Sequence, residues 1–456
     1  MIPKILVFAG MIAAAMASYP QARTTAVLFE GARLIPGDGR QPVVNAAMLV
    51  ENGVITRVGT KASVNAPAST RRVDLNGKTI MPVLINAHGH PGFQRGLTYS
   101  GDNFRRETIV DDLNRALYFG VAAVQSQGIE KGDVMYRIRA DQEAGRLGGA
   151  RLRLAGRGIG APNAGPGAAA YAGIAYEVTT EDQSRQAVRE LAAQKVNLIK
   201  IWVDDRNGRA PRLAPTLYRA IIEEGHKHGL QVNAHVYYHS DTVDLVNAGI
   251  DGLAHLVRDK EMDDELVASI VRRNVYVMPN LSPEWNTYME LPHWLKDNDP
   301  LMALLQQSVS QAVIARMKSA YENRNPATVE RTRTQYVILQ RSLAKLAKAN
   351  AKIILGSDTG LEDHLFGMSE HRELESMLGA GMTPMQVIVA ATSRPAEYMK
   401  LEKIGVLDVG MKADFLVLDA NPLDNITNTQ RISKVYIEGV EVDRTALRTS
   451  LTRSNP

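Results

Sequence analysis

The chain has 456 residues, of which 45% are hydrophobic and 22% are charged, and these values are ordinary for globular proteins. The formal net charge of +4 is small for this length, and no basic stripe with interleaved aromatic residues is evident, which argues against a nucleic-acid partner. There is no cysteine, so disulfides, thiolate metal ligands and cysteine nucleophiles are excluded. Any metal must therefore be held by histidine, carboxylate or modified lysine side chains.

The beginning of the chain is typical of a secretory signal. Lys4 provides a positive start, residues 5–14 an apolar core, and Ala15-Met16-Ala17 a cleavage site of the small-x-small type. The apolar run is short for a membrane span, and a buried N-terminal strand or helix is the alternative interpretation. We expect cleavage of residues 1–17 as a signal peptide, a periplasmic or secreted location, and no stable membrane span after cleavage.

Both ends of the chain are rich in predicted short strands. Turn sequences such as Pro36-Gly37-Asp38-Gly39 separate these strands. The strand candidates are 26–29, 47–50, 54–58, 413–419, 432–437 and 440–442. Because the two ends could pair, we predict one small β-sandwich domain built from residues 24–81 and 405–456.

Strand and helix patterns alternate in the middle of the chain, which favours βαβ units and a parallel sheet. The strand candidates are Ile80–Ala87, Val121–Gln127, Arg151–Gly156, Val196–Trp202, Gln231–His235, Gly252–His255, Val275–Pro279 and Lys352–Ser357. Eight such units close a (β/α)8 TIM barrel, and we predict this α/β fold for residues 82–400. Residues 156–173 and 281–350 each follow a strand end and are candidate lid segments.

Several candidate metal ligands end predicted barrel strands, on the face where such barrels form active sites. His88-Gly89-His90 ends the first strand, and side chains at i and i+2 of a strand point the same way. His235, His255 and Asp358 end the fifth, sixth and eighth strands. Each alone is more often a structural residue, but four of only ten histidines at such positions indicate a metal site. Among the other histidines, we expect surface positions for His226, His228 and His293. Three more follow ligand strands and could reach substrate, although we expect solvated positions for them: His239, His364 and His371.

Lys200 lies in the apolar strand VNLIKIW, where a charged lysine is costly unless it is paired or neutralised. A salt-bridged or snorkelling lysine is one interpretation. A neutral lysine amine could instead take up carbon dioxide, and the resulting carbamate has two oxygens that can bridge two metals. Burial lowers the pKa of a lysine and so favours the neutral amine that this reaction needs.

Together these residues resemble the amidohydrolase superfamily, in its subset with two metals and a carboxylated lysine. Residues 81–90 are similar to the opening Pro-Gly-(Leu/Phe)-Ile-Asp-x-His-x-His of that family, and the later ligand candidates follow in the family's order. Val83 and Asn86 depart from this opening, and residues 125–128 are Gln-Ser-Gln-Gly where near relatives have Arg-Asp-x-Gly. The nearest resemblance is to secreted prolidase-like, Xaa-Arg dipeptidase-like and imidazolonepropionase-like enzymes.

The resemblance implies a hydrolase with two divalent metals, which we expect to be zinc. One metal would bind to His88, His90 and Asp358, and the other to His235 and His255, with carbamylated Lys200 bridging them. A hydroxide between the metals would attack an amide of the peptide or N-acyl amino acid type, and Asp358 would transfer the proton. Tyr237 and Tyr238 are candidate substrate-binding residues, with Tyr237 as a catalytic donor to the oxyanion; packed loop tyrosines are the alternative.

Other functions stay open at this point. The same site could hydrolyse an ester, a lactone or a cyclic amide, because the fold does not determine the substrate. A mononuclear deaminase would usually have a glutamate three residues after the fifth-strand histidine, where this chain has Tyr238. A non-enzymatic scaffold would not need all six ligand positions filled. The expected partner is a small-molecule substrate, and the chain could also form a homo-oligomer.

Overall fold

The computed structural model describes residues 26–167, 169–205, 208–283 and 299–454. The predicted signal peptide and His293 lie outside the described residues. None of the described helices is both long and apolar enough to cross a membrane. The strands are β1 (Val27–Glu30), β2 (Arg33–Leu34), β3 (Ala46–Glu51), β4 (Val54–Thr60), β5 (Arg71–Asp74), β6 (Thr79–Pro82), β7 (Leu84–Gly89), β8 (Gln94–Arg95), β9 (Thr98–Tyr99), β10 (Val121–Ser126), β11 (Arg151–Arg153), β12 (Ile159–Gly160), β13 (Tyr176–Glu177), β14 (Leu198–Val203), β15 (Gln231–Val236), β16 (Gly252–Ala254), β17 (Tyr276–Met278), β18 (Lys352–Ile353), β19 (Phe415–Leu418), β20 (Ile432–Ile437) and β21 (Val440–Glu441). The helices are α1 (Arg106–Tyr118), α2 (Val134–Glu143), α3 (Glu181–Ala193), α4 (Pro215–Lys227), α5 (His239–Ala248), α6 (Asp264–Arg272), α7 (Pro300–Gln306), α8 (Gln311–Glu322), α9 (Pro326–Lys348), α10 (Met368–Gly379), α11 (Pro384–Ala391), α12 (Ser393–Tyr398) and α13 (Arg444–Ser454).

Eight parallel strands form a closed barrel. They lie in two hydrogen-bonded ladders, β7–β10–β11 and β14–β15–β16–β17–β18, and the second ladder also carries β12 and β13 at its edge. Two backbone hydrogen bonds join the ladders: Asn197 N donates to Leu154 O at 2.7 Å, and Ala87 N donates to Leu355 O at 2.8 Å. The first strand thus meets the eighth and the third meets the fourth, which confirms the predicted (β/α)8 barrel.

Local sequence explains how these elements form. All six residues of β14 are buried, as expected for a parallel strand with helices outside and packed side chains inside. Helix α9 begins at Pro326 after Asn325, whose Oδ1 accepts a hydrogen bond from Ala327 N at 2.9 Å. Residues 299–350 of the second candidate lid segment include α7, α8 and α9, which follow the seventh strand in the chain.

The first predicted barrel strand was wrong in its extent. The segment predicted as one strand contains two, because β6 pairs antiparallel with β19 whereas β7 pairs parallel with β10. Pro82 has no N–H to donate to a ladder, and Val83 N donates to Asp414 O at 3.3 Å. The chain thus changes sheets at this point. The continuous apolar run conceals the change in the sequence, since both strands are fully buried.

Strands from both ends of the chain share one sheet. This five-stranded sheet has the order β2–β6–β19–β20–β21, and it packs against a four-stranded sheet, β4–β3–β1–β5. Phe29, Phe415 and Tyr436 form the aromatic centre between the sheets, with Phe415 stacked on Tyr436 at a ring-centroid distance of 4.6 Å. The tail also contains helix α13, which joins the barrel through a hydrogen bond from Arg444 Nε to Tyr118 O at 3.0 Å. The exact domain limits stay a prediction.

Candidate metal centre

Four histidines form one continuous row at the C-terminal ends of the barrel strands. His90 and His88 follow and end β7, His255 follows β16, and His235 lies in β15. Neighbouring rings meet edge to face, with centroid distances of 5.1 Å between His90 and His88, 5.3 Å between His88 and His255, and 4.5 Å between His255 and His235. The row thus brings the two imidazoles of the first strand together with two that lie more than 140 positions later in the sequence.

Asp358 joins this row from the segment that follows the eighth strand, β18. Its Oδ1 lies 3.2 Å from His88 Nε2 and 2.9 Å from His90 Nε2, and its Oδ2 lies 3.9 Å from His255 Nε2. Ligand atoms of His88, His255 and Asp358 all lie within 4.8 Å of one another. Both His255 and Asp358 have left-handed backbones, with φ of 75° and 53°, a conformation that costs energy in residues with a side chain. Such strain is concentrated at functional sites, where the surrounding structure holds it in place.

The protonation states suit metal binding. Burial places the pKa of His88 well below its ordinary value, against the attraction of the Asp358 carboxylate, and the charge of Lys200 lowers it further. Burial likewise lowers the pKa of His255, with further contributions from His235 and Arg258. For Asp358 burial acts to raise the pKa, but the histidines around it hold the value well below the ordinary one. Neutral imidazoles and an ionised carboxylate are the forms that coordinate metals.

The spacing of the donor atoms also fits a metal ion. His88 Nε2 and His90 Nε2 are 3.2 Å apart. A zinc–nitrogen bond of about 2.05 Å and tetrahedral angles would separate two ligand nitrogens by about 3.3 Å. Histidine and aspartate without any thiolate are ordinary ligands for catalytic zinc and for related divalent metals. We therefore infer that these residues can hold a divalent ion.

Lys200 is buried inside the barrel, with 1% of its surface exposed. It lies on β14, and its stem packs against the turn after β10: a Cβ added to Gly128 would lie 2.8 Å from Lys200 Cγ. Gly128 also has a positive φ of 89°, so that glycine is favoured at this position for two separate reasons. The structure thus places Lys200 in the barrel interior, where its charge lowers the pKa of His88.

The two tyrosines predicted to bind substrate have different surroundings. The Tyr237 hydroxyl accepts a hydrogen bond from Gln335 Nε2 at 2.8 Å, and the ring lies beside the guanidinium of Arg258. The Tyr238 hydroxyl donates to Asp205 Oδ1 at 2.9 Å, and the Arg212 guanidinium stacks over its ring at 3.9 Å. Tyr238 is therefore engaged in a polar cluster of its own, whereas Tyr237 lies among groups that adjoin His255.

Sequence reasoning missed three polar residues that support the ligands. Asp204 Oδ2 lies 3.2 Å from His235 Nε2, and Asn280 Oδ1 accepts from His255 N at 2.9 Å. Asn86 Oδ1 accepts from His88 N at 2.9 Å, while its Nδ2 donates to Glu370 Oε1 at 2.6 Å. Asp204 could have been found, because it follows Lys200 by four residues at the end of the same strand. Outer partners of this kind orient metal ligands.

An aromatic group lies over the other end of the histidine row. Tyr171, from the first candidate lid segment, packs beside His90 with ring centroids 5.8 Å apart. The Tyr99 hydroxyl donates to the Tyr171 hydroxyl, and Phe93 meets the Tyr171 ring edge to face at 4.6 Å. Burial raises the pKa of both tyrosines, so both hydroxyls keep their protons. The segment therefore contributes at least one wall of the site.

The remaining described histidines only partly follow the prediction of solvated positions. The His226 and His228 side chains are exposed, as expected. The prediction was wrong for His239 and His371, which are buried, and burial lowers the pKa of His364 to about 3. His371 bonds to Thr429 Oγ1 and to the Phe119 carbonyl, both at 3.0 Å, so its role is structural. These partners lie far away in the sequence, and no local pattern indicates them.

Comparison with curated proteins gives matches over about half of the chain and over most of it. An uncharacterised protein of Mycobacterium tuberculosis is 30% identical over 212 residues, which are 45% of this chain and 51% of that protein. The chain thus spans about half the length of this relative. A 5-methylthioadenosine/S-adenosylhomocysteine deaminase of Symbiobacterium thermophilum is 24% identical over 412 residues, covering 86% of this chain and 85% of the deaminase.

Solved structures share the fold over nearly their whole length. Phenylurea hydrolase B has a TM-score of 0.73 and 23% identity, covering 93% of this chain and 98% of that one. A Xaa-Pro dipeptidase has a TM-score of 0.72 and 18% identity, with 91% and 99% covered. The profile of the Amidohydrolase family matches residues 79–442. Since this match runs from β6 through β21 and includes every candidate ligand, the chain belongs to the amidohydrolase family.

Proposed function

We propose that this protein is a binuclear metal-dependent hydrolase that cleaves the carbon–nitrogen bond of an amide, of the peptide or N-acyl amino acid type. The observation that carries the proposal is the convergence of four histidines and Asp358 at the mouth of the barrel, with buried Lys200 on a neighbouring strand. Members of the family are metal-dependent, and dipeptidases and amide-type hydrolases share this fold. When bound, the metals would lower the pKa of a water molecule and polarise the scissile carbonyl.

The proposed assignment of ligands follows the histidine row. His88, His90 and Asp358 would hold one ion, and His235 and His255 the other. Lys200 would bridge the two as a carbamate, because an ammonium group would repel divalent cations whereas a carbamate carries a negative charge and two oxygens. Asp204 and Asn280 would keep His235 and His255 in position through the contacts described above.

Asp358 and Tyr237 would perform the proton transfer and the stabilisation of charge. The ionised Asp358 carboxylate would accept a proton from the attacking water and deliver it to the leaving amine, acting first as general base and then as general acid. Tyr237 accepts a hydrogen bond from Gln335, so its own O–H is still able to donate to the oxyanion that develops on the carbonyl.

A mononuclear deaminase is the second candidate, because a deaminase matches most of the chain. The position three residues after His235 argues against it, since Tyr238 donates to Asp205 there and offers no carboxylate. The metal content would discriminate the two functions. A deaminase would need about one metal per chain and would release ammonia, whereas the proposed hydrolase would need about two and would release an amine or amino acid.

The test is metal analysis of purified protein, followed by assay of the zinc-loaded form with dipeptides, N-acyl amino acids and matched esters. We expect about two metals per chain and hydrolysis of amides that is abolished by chelation and restored by metal. His255→Ala should lose both metal and activity, and His226→Ala, which changes an exposed histidine, should lose neither. Protein that binds no divalent metal, or hydrolyses nothing in the panel when fully loaded, would contradict the proposal.

A further inference from the structure

An aromatic wall borders the His90 end of the proposed metal centre, and the proposed reaction does not use it. The Tyr171 ring packs beside His90 with ring centroids 5.8 Å apart. The centroid of the Phe93 ring lies 4.6 Å from that of Tyr171 and 6.4 Å from that of Tyr99. The hydroxyl groups of Tyr99 and Tyr171 are hydrogen-bonded to each other. We call Phe93, Tyr99 and Tyr171 the tyrosine wall, and it joins the segments that follow the first and third barrel strands.

The tyrosine wall has a buried apolar backing and one partly exposed edge. Phe93 and Tyr171 are 0% and 3% exposed. Three further buried residues pack in the same cluster: Ile129, Ile174 and Trp202. Tyr99 and Leu361 belong to the edge of the cluster and are only partly buried. A substrate group that covers this edge removes apolar surface from water, and an aromatic group can also meet the tyrosine rings edge to face.

The two hydroxyl groups of the wall carry one hydrogen more than their mutual bond uses. Each hydroxyl has a single hydrogen, and one of the two lies between Tyr99 and Tyr171. Among the described residues, neither hydroxyl has another hydrogen-bond partner. The second hydrogen, which we call the spare hydrogen, is therefore free to donate to a bound molecule. Because a ligand that covers a hydroxyl displaces water from it, a ligand that supplies an acceptor binds more tightly than one that does not.

The geometry of the proposed reaction directs the leaving amine towards the tyrosine wall. Tyr237, two residues after His235, would hold the developing oxyanion at one end of the histidine row. Asp358 Oδ1 lies 2.9 Å from His90 Nε2 at the other end, and this carboxylate would deliver a proton to the leaving nitrogen. A nitrogen within hydrogen-bond reach of Asp358 brings its substituent close to Tyr171, because the Tyr171 ring neighbours His90.

We propose that the tyrosine wall binds the amine portion of the substrate and selects an aromatic side chain there, which rests on the proposed hydrolytic function. The substrates are then N-acyl derivatives of aromatic amino acids, or dipeptides with an aromatic second residue. Small side chains leave the edge of the wall uncovered, and burying the charge of an acidic side chain against apolar rings is costly. The spare hydrogen favours a ring that carries an oxygen, so a tyrosine side chain binds more tightly than a phenylalanine side chain.

The test uses N-acetyl amino acids that differ only in the side chain of the amine portion. The derivatives of L-phenylalanine, L-tyrosine, L-alanine and L-aspartate are titrated calorimetrically into zinc-loaded protein, and their hydrolysis is measured. We expect the phenylalanine derivative to bind about tenfold or more tightly than the alanine derivative, because it buries more apolar surface. The tyrosine derivative should bind about twofold to tenfold more tightly again through the spare hydrogen, and the aspartate derivative no more tightly than that of alanine.

Variants of the wall separate the rings from the hydroxyl groups. Tyr171→Ala removes one ring and should lose most of the preference for phenylalanine over alanine. The double variant Tyr99→Phe with Tyr171→Phe keeps both rings without any hydroxyl hydrogen, so it should keep this preference and lose that for tyrosine over phenylalanine. The matched control is Tyr136→Phe, which removes a hydroxyl on α2 that donates to Gln194 Oε1 at 2.7 Å, and it should keep both preferences. Metal content and thermal unfolding are measured for each variant.

Equal affinity of the parent for the phenylalanine and alanine derivatives would overturn the proposal, as would an undiminished preference in Tyr171→Ala. A preference for tyrosine over phenylalanine that persists in the double variant would refute the role of the spare hydrogen. Loss of metal in Tyr171→Ala with equal weakening of every ligand would also overturn the proposal, because Tyr171 would then only support His90. Selective binding of the aromatic derivatives without any hydrolysis would support the wall and refute the hydrolytic function.

Discussion

Replacing Lys200 separates its packing from its chemistry. Lys200→Ala removes three methylenes from a residue that is 1% exposed, which costs about 2.4 kcal/mol at ~0.8 kcal/mol for each buried methylene, and more if the cavity stays open. Lys200→Met keeps a chain of similar volume and should cost less than about 1.5 kcal/mol. Neither variant can form a carbamate. We therefore expect different stabilities but the same loss of metal and of activity.

The assay combines urea unfolding, metal analysis and hydrolysis rates for the parent and both variants. The metal content should fall from about two per chain towards one or none, and the rate should fall at least about a hundredfold, because the metals contribute several kcal/mol to the stabilisation of charge. Acetate or propionate should restore part of the rate in Lys200→Ala, where a carboxylate fits the space, but not in Lys200→Met. Lys200→Arg should not recover, since a guanidinium stays protonated. A Lys200→Met protein with two metals and the full rate would refute the bridging role and leave Lys200 as a structural residue.

Four further predictions follow from other parts of the molecule. Gly128→Ala should destabilise the protein by more than the ~1–2 kcal/mol that a positive φ costs a residue with a side chain, and it should lower metal content, because the new Cβ meets the Lys200 stem. The control in thermal unfolding is Gly132→Ala, which is also at positive φ but has nothing within 4 Å of the new Cβ. Equal losses of stability in the two variants would contradict the contact. Asp204→Asn should weaken metal binding about tenfold to a hundredfold, measured by competition with a chelator, and an unchanged affinity would remove Asp204 from the support of His235. Burial raises the pKa of Glu130 from 4.5 to about 7, so the folded state binds this proton more tightly than the unfolded state does. The stability from this carboxyl is complete below pH 4.5 and is lost as the pH rises to about 7. In urea unfolding, Glu130→Gln should therefore gain about 3 kcal/mol of stability relative to the parent between pH 4.5 and 7, and a difference independent of pH would refute this account. We also propose export of the chain, so N-terminal sequencing of the protein from its native host should begin near Ser18, and a sequence starting at Met1 would contradict it.

The sequence by itself determined the barrel and the identity of the candidate metal ligands. Alternation of apolar strands and amphipathic helices is a local property of the chain, and it predicts βαβ units without knowledge of any long-range contact. Polar residues at strand ends, such as His88, His235 and Asp358, are visible for the same reason. All parallel strands of such a barrel end on one face, so their order along the chain was enough to predict that these side chains would meet.

Only the tertiary structure decided how the ligands are held and what surrounds them. Asn86 was visible only as a departure from a pattern, yet it links His88 to Glu370, and Glu370 lies 284 positions after Asn86. The contact of Arg258 with His255 and Tyr237 requires the fifth and sixth strands to lie side by side. The change of sheet at Val83 depends on a partner strand near the end of the chain. Patterns of period two or 3.6 report which face of an element is buried, but the partner of a buried polar group is chosen by the packing of distant segments, because an unpaired polar group in the interior is costly wherever it lies in the sequence.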